Sequence, residues 1–331
     1  MNARQGFVGT SVERREDSRF LTGAGNYTDD ITLPGQTYAC FLRSPYAHAR
    51  ITSLNTAEAA KAPGVLGIFT GEHFKAVGGL PCGWLINSLD GAPMKEPKHP
   101  VLADGKVRYV GDRVAMVVAE TVEQAKAAAA LIEVEYEELK PVVDALTAPQ
   151  AGSAVHDEAP DNRVYQWGIG DKDGTAAAIA GAAHVSSLSF RNNRLVPNAI
   201  EPRAANASYD PHADNYTLYV SNQNPHVERL LMCAFVLGIP EHKMRVVAPD
   251  VGGGFGSKIF LYGEETALVF ASKQIRRPIK WTCERGEAFL SDAHGRDHAT
   301  TVKLGLDKDG KFVGLQVHTT ANLGAYLSTF A

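Results

Sequence analysis

The sharpest chemistry in this chain lies in one short stretch, Val251-Gly252-Gly253-Gly254-Phe255-Gly256-Ser257-Lys258. It falls between a predicted strand, Met244–Ala248, and a predicted helix, Gly263–Gln274. Glycines there let the backbone take positive φ and approach a ligand closely. Successive N–H groups in such a turn form an anion-binding nest, suited to a phosphate or a polar heterocycle. Two nucleotide motifs do not fit. A phosphate-binding P-loop needs G-x-x-x-x-G-K-[ST], but Ser257 separates Gly256 from Lys258. A dinucleotide fingerprint needs G-x-G-x-x-G, and from Gly252 the sixth position is Ser257. Four glycines in five positions also exceed what a simple tight turn requires. A ligand loop and a purely structural crossover both remain open. Phe255 within the loop either anchors it in the core or stacks near a flat ligand.

Other candidates are weaker. Lys258 could meet a phosphate or serve the fold, and the structural role is the expectation. Glu264 and Glu265 open a helix, where acidic side chains offset the dipole; a general-base role for them is the lesser reading. His294-x-x-x-His298 with Asp292 and Asp297 could mimic a metal site, but Gly295 weakens a helix and no H-E-x-x-H is present, so a solvated loop is expected and no metal ligand is assigned. His48 and His226 read as structural histidines. Cys40, Cys82, Cys233 and Cys283 are far apart, without the close spacing of an iron–sulfur site. They read as buried structural thiols.

The elements that must position the loop fall into two units. After a charged, glycine-containing lead-in over residues 1–18, an α+β unit covers 19–145. Its expected strands are Tyr38–Leu42, Ala49–Leu54, Val65–Phe69, Val114–Ala119 and Ile132–Tyr136, with a short helix over Thr56–Ala62. A second helix runs from Val122 to about Leu131, capped by Thr121. Residues 146–183, with Pro149, Gly152, Pro160 and an alanine-rich stretch, are taken as a linker. A second unit covers 184–331. Strands are expected at Val185–Phe190, Ala204–Tyr209, Tyr216–Ser221, Ile279–Cys283, Thr300–Leu306 and Phe312–Ala321. A helix over His226–Leu237 is ended by Gly238, and Asp307–Gly310 makes a hairpin turn. The final Thr329-Phe330-Ala331 follow a strand directly, with no cap or breaker, which suggests a C-terminally truncated chain.

Composition narrows the function class. The 331 residues suffice for two cores. A net charge of -4 supplies no electrostatic drive toward nucleic acid. No apolar run approaches the roughly 20 residues that span a bilayer, and the N-terminus has no signal-like apolar run, so a cytoplasmic chain is expected.

The glycine loop resembles the GGGFG-x-K loop of the large subunit in the xanthine dehydrogenase, aldehyde oxidase and carbon monoxide dehydrogenase family. Other collinear segments resemble it too: Gly23-x-Gly25-x-Tyr27-x-Asp29-Asp30, Arg43-Ser44-Pro45-Tyr46-Ala47-His48-Ala49, Arg108-Tyr109-Val110-Gly111-Asp112-Arg113-Val114-Ala115, Asn198-Ala199-Ile200-Glu201-Pro202-Arg203 and Gln223-Asn224-Pro225-His226. The resemblance implies an α/β hammerhead domain followed by the first, incomplete molybdopterin-binding domain. It implies a molybdenum–molybdopterin cofactor, in its cytosine dinucleotide form, contacted by Gln223, Gly253, Gly254, Phe255 and Gly256. Gln223 would donate its amide N–H to an oxo ligand, as a group that donates without titrating can do. No catalytic residue is assigned, because the family's general-base glutamate is expected beyond Ala331. The implied activity is hydroxylation of an aldehyde, an N-heterocycle or carbon monoxide, with water as oxygen source. Electrons would leave to a small iron–sulfur subunit and a medium FAD subunit. The missing C-terminal half of the large subunit would be a further partner, and the fragment alone would not turn over. Ile259 stands where purine-oxidising members carry glutamate, which argues against purines. Two alternatives are a non-catalytic pterin-binding or scaffold chain and a nucleotide-binding protein.

Overall fold

The structure is a computed structural model and describes residues 6–330; expectations for residues 1–5 and 331 lie outside the described residues. Thirteen strands and seven α-helices follow one another in these residues. The first part holds α1 (Asp17–Leu21), β1 (Thr37–Arg43), β2 (Ala49–Asn55), α2 (Ala57–Lys61), β3 (Val65–Thr70), β4 (Lys106–Val107), β5 (Arg113–Ala119), α3 (Val122–Ala129) and β6 (Glu133–Glu138). Then come α4 (Lys172–Ala180), β7 (His184–Asn192), β8 (Ala204–Asp210), β9 (Asn215–Val220), α5 (Pro225–Leu231) and β10 (Met244–Val247). The last part holds α6 (Gly263–Ile275), β11 (Ile279–Thr282), α7 (Arg285–Ser291), β12 (His298–Leu306) and β13 (Phe312–Ala321).

The main sheet has seven strands in the order β10-β9-β8-β11-β1-β5-β3. It is continuous across the two expected units: β1 pairs in parallel with β11, Thr37 opposite Ile279, and antiparallel with β5 on its other side. β5 explains its own apolar run. Met116 and Val118 enter the large core under α6, while Ala115 and Val117 pack with Ala59, Ala128 and Ala129 of α2 and α3. A strand buried on both faces has no reason to alternate. A second sheet, β4-β2-β6, and a third, β13-β12-β7, flank the first.

Local signals act as expected at several ends. The Thr121 hydroxyl accepts from Gln124 N while the Gln124 side chain accepts from Thr121 N, at 3.2 and 3.1 Å, closing a capping box on α3. Gly238 ends the helical run after α5 with φ 63°. Three segments depart from expectation. The stretch read as linker carries α4, whose Ile179 and Ala178 lie against Gly314 of β13. The helix expected over 226–237 turns to π geometry at Met232–Leu237; the widened turn leaves the Val236 carbonyl to accept from Gly78 N at 2.9 Å. Thr329 and Phe330 do not follow a strand directly: β13 ends at Ala321, and residues 322–330 fold back over the body of the protein, where the Thr329 hydroxyl accepts from Leu261 N.

What holds these parts together is a buried charge cluster. Glu264, fully buried at the start of α6, accepts from Arg43 Nη2 at 2.7 Å, Arg113 Nη1 at 3.4 Å and Arg203 at 3.3 Å. Arg43 also meets Glu287 at 2.6 Å, and Arg203 meets Asp292 at 2.7 Å. Three guanidinium groups face three carboxylates, so the cluster is neutral. Burial alone would raise the Glu264 pKa, but Arg203, Arg113 and Arg43 hold it well below the usual carboxylate range. The Arg203 guanidinium stacks 3.7 Å over the Tyr262 ring, which completes its desolvated surroundings. The expected dipole role of Glu264 is thereby subordinate to ion pairing. Removing one partner from such a site leaves uncompensated buried charge and costs about 3–5 kcal/mol. Glu264→Gln is expected to lower urea-unfolding stability by about that amount. A variant within about 1 kcal/mol of wild type would contradict the account.

Candidate functional site

The glycine loop joins β10 to α6, and the segment of Gln223 joins β9 to α5. Because β9 and β10 are parallel neighbours, Tyr216 opposite Met244 through Tyr219 opposite Val247, both loops leave the sheet at the same end. Loops at the carboxyl ends of parallel strands are where ligands bind in α/β sheets. The two loops touch. Gln223 N donates to Lys258 O at 2.8 Å, and Gln223 Oε1 accepts from Gly256 N at 3.0 Å. A backbone N–H can only donate, so this bond fixes which end of the amide faces the loop. Gln223 itself is exposed.

The glycines are required one by one. Gly253 and Gly256 have φ of 104° and 93°, the left-handed region that L side chains avoid. A Cβ at Gly254 would collide with the Gln223 side chain, and one at Gly252 would meet the Glu201 Cβ. Phe255 itself takes φ 51°, a strained setting for a bulky residue. The residue is 73% exposed, so it does not anchor the loop in the core. A large apolar ring held on the surface in a strained backbone is the half of the sequence expectation that leaves room for a flat ligand.

Beneath the loop sits a polar lock around Lys258, in keeping with the structural role expected of that side chain. Lys258 Nζ, buried, donates to Glu201 O at 2.8 Å, Glu201 Oε2 at 3.0 Å and Ser221 Oγ at 2.7 Å. Glu201 Oε2 also accepts from Ser221 Oγ and Gly252 N, both at 2.7 Å. Burial lowers the Lys258 pKa, with Glu201 opposing. Lys258 is thus a structural cation that ties the Glu201 segment to both loops, and it is not free for a ligand phosphate. Glu201 lay in a family-like segment without a role of its own, and Ser221 carried no motif; only contact across the fold reveals their part.

The remaining candidates fall elsewhere. His294 and His298 line a separate cavity of about 500 Å³ with His99, Tyr109, Phe289 and Tyr326. Among the described residues no three His, Cys, Asp or Glu side chains group as a metal site. Cys82, Cys233 and Cys283 are buried; Cys40 is half-buried, a departure from the expected set of four buried thiols.

The chain matches the family model of the molybdopterin cofactor-binding domain over residues 155–331 and that of the aldehyde oxidase and xanthine dehydrogenase a/b hammerhead domain over residues 22–140. The chain belongs to this family of molybdopterin-binding large subunits. It is 35% identical to the nicotine 6-hydroxylase large subunit of Paenarthrobacter nicotinovorans over 96% of this chain and 38% of that one. It is 30% identical to the nicotinate dehydrogenase large molybdopterin subunit of Eubacterium barkeri, over 93% of this chain and 68% of that shorter one. Among solved structures, reconstituted CO dehydrogenase from Oligotropha carboxidovorans superposes with a TM-score of 0.83 at 36% identity, covering 94% of this chain and 39% of that chain. The chain therefore spans about two fifths of the length of most such relatives.

A second buried pair lies behind the two loops. Glu228 of α5 and Glu265 of α6 are both fully buried and face each other. Burial, then the neighbouring Glu265, pushes Glu228 well above the ordinary glutamate value; burial pushes Glu265 up to about 7. Arg203 counters this only in part. The folded pair binds protons that the unfolded chain has released, so its contribution to stability is present below the ordinary glutamate range. It is lost as pH climbs toward and past 7. Glu228→Gln removes one of the two acids. In thermal melts the variant is expected to match wild type near pH 5 and exceed it at pH 8, by on the order of 2 kcal/mol. A variant advantage that does not grow with pH would count against protonation of the buried pair.

Proposed function

We propose that this chain is the cofactor-contacting part of a molybdenum hydroxylase, with Gln223, Gly253, Gly254, Phe255 and Gly256 lining one wall of the pterin site. The observation that carries the reading is the contact between the Gln223 amide and the glycine loop. A Cβ added at Gly252 or Gly254 would collide with Glu201 or Gln223, and Gly256, with open space around it, is held to glycine by its φ of 93°. The same contact engages the amide through Oε1, so Nε2 is the end of the side chain proposed to serve a ligand. When bound, the molybdenum–pterin group supplies the redox and oxygen-transfer chemistry. The chain's own part is positional. Gln223 donates a hydrogen bond from Nε2 to a ligand oxygen. The backbone at Gly254 and Gly256 lets the flat group come close, and Phe255 offers an apolar surface that excludes water beside it.

A small substrate such as an aldehyde, an N-heterocycle or carbon monoxide is the reading; the nicotine hydroxylase and CO dehydrogenase large chains, at 35% and 36% identity, lie nearer this chain than the xanthine dehydrogenase subunits, at 32%. Ile259 argues against purines. A cytosine dinucleotide form of the pterin, a cytoplasmic location, a small iron–sulfur subunit and a medium FAD subunit complete the reading. Among the described residues no helix is long and apolar enough to cross a membrane.

Two outcomes test it. Purified from a host that makes the cofactor, the tagged chain with its co-purifying subunits should carry molybdenum by elemental analysis and a fluorescent pterin after oxidation. Gly254→Val, which drives a side chain into Gln223, should cut both at least about tenfold with the melting temperature little changed. Cofactor-free chain, or an undiminished variant, would sink the reading and leave a scaffold role. This polypeptide by itself, assayed with aldehyde, heterocycle and carbon monoxide and an artificial acceptor, should show no turnover; robust activity would refute that.

A further inference from the structure

The buried acids Glu228 and Glu265 sit where the two loops of the candidate site are anchored. Glu228 lies in the first turn of α5, the helix that follows Gln223, and Glu265 in the first turn of α6, the helix that follows the glycine loop. Each is 1% exposed. Both oxygens of Glu228 are buried and receive no hydrogen bond from any donor among the described residues. The group that faces them is the Glu265 carboxyl. One Glu265 oxygen already accepts from Tyr262 N at 3.0 Å.

The neighbouring cations are engaged elsewhere. Arg203, which faces Glu265, is committed to Glu264, Asp292 and the Ser291 hydroxyl. Arg43 and Arg113 answer Glu264, and Lys258 answers Glu201 and Ser221. On α5 itself Arg229 turns to Glu241 at 3.1 Å. The remaining charges that act on Glu265 come from Glu264 and Asp292, and both are acidic. Two carboxyl groups in dry contact, with no donor from elsewhere, hold together when a proton on one supplies the hydrogen bond the other accepts. Ionised together they repel in surroundings that screen poorly.

Each acid reaches one loop by short steps. Glu228 N donates to Asn224 O at 3.0 Å, and Asn224 follows Gln223 directly. Tyr262, whose N–H Glu265 holds, donates its hydroxyl to Ser257 O at 2.7 Å, and Ser257 follows Gly256 directly. Gln223 Oε1 and Gly256 N are the atoms that meet across the loops, at 3.0 Å. The acid contact and the loop contact are therefore opposite sides of one closed frame.

We infer that the Glu228–Glu265 contact is a proton-held clasp that sets the spacing of the two loops, and that ionising it lets Gln223 and Gly256 part. The two acids are positioning residues: they act on the site only through Asn224 and Tyr262. Their meaning for cofactor retention rests on the reading of these loops as the pterin wall; the clasp itself stands on the geometry alone. A wall of this kind is tight in mild acid and loosens as the solution turns alkaline.

The test is hydrogen exchange read by mass spectrometry on the tagged chain with its co-purifying subunits. Protection is taken over residues 221–228 and 252–258, corrected for the intrinsic rise of exchange with pH. Between about pH 6 and pH 9 it should fall at least about tenfold in the wild-type protein, while the β12–β13 hairpin, which opens without disturbing the pair, stays within about twofold. Glu228→Gln leaves an amide that donates to Glu265 and forbids a like-charge pair, so its loop protection should change less than about twofold over the same range. Glu265→Gln, which keeps an acceptor for Tyr262 N, should behave alike and serves if the first variant does not fold. Loop protection that is flat with pH in the wild-type protein, that falls in step with the hairpin, or that falls equally in the variants overturns the clasp. Molybdenum content at the acid end reads the cofactor assignment separately. A pH-responsive loop in a protein without molybdenum keeps the clasp and removes the pterin wall.

Discussion

Everything else in this structure depends on the neutralisation of Glu264. A carboxylate at the buried start of α6 could not stay ionised alone, and three arginines from distant parts of the chain converge to keep it so. Arg43 and Arg113 come from β1 and β5, Arg203 from the segment before β8. The cluster therefore sets the depth and angle at which α6 enters the core. The glycine loop precedes that helix by a short segment, Ser257 to Tyr262. Buried ion pairs rarely add net stability over apolar packing, yet they impose one arrangement because every alternative strands a charge. Here the arrangement imposed is the place of the candidate site relative to the sheet.

The site itself is built by backbone more than by side chains. Gly252 and Gly254 are held to glycine by neighbours, Glu201 and Gln223, and Gly253 and Gly256 by their φ angles. The polar lock of Lys258, Glu201 and Ser221 then fixes the loop from below. Such a loop is preorganised before any ligand arrives, which lowers the entropic cost of binding.

Much of this was legible in the sequence, for identifiable reasons. Strands with clear alternation or a continuous apolar run, and helices with Thr121 or Gly238 at their ends, fall within a residue or two of expectation. The glycine loop announced itself by composition; its meeting with Gln223 was expected only from the family resemblance, and the parallel pairing of β9 with β10 supplies the physical reason. What stayed hidden was non-local. No spacing links Arg43 to Glu264 or Lys258 to Ser221, and nothing in residues 172–180 distinguished a helix packed on glycines from an alanine-rich connector. The expected separation into two units also gave no hint that β1 and β11 share a ladder. The sequence pattern marks each strand's faces but not its neighbours.

That shared ladder bears on how the protein is made. As the chain leaves the ribosome, β1 can find β5 early, but its other edge has no partner until Ile279 has been synthesised. Until then a strand at the centre of the finished sheet is an open edge, with half the large core unformed around it. An unpaired edge of that kind invites association with other chains. The first hundred-odd residues are therefore committed to waiting, and a ribosome stalled before β11 would release a product poised to aggregate.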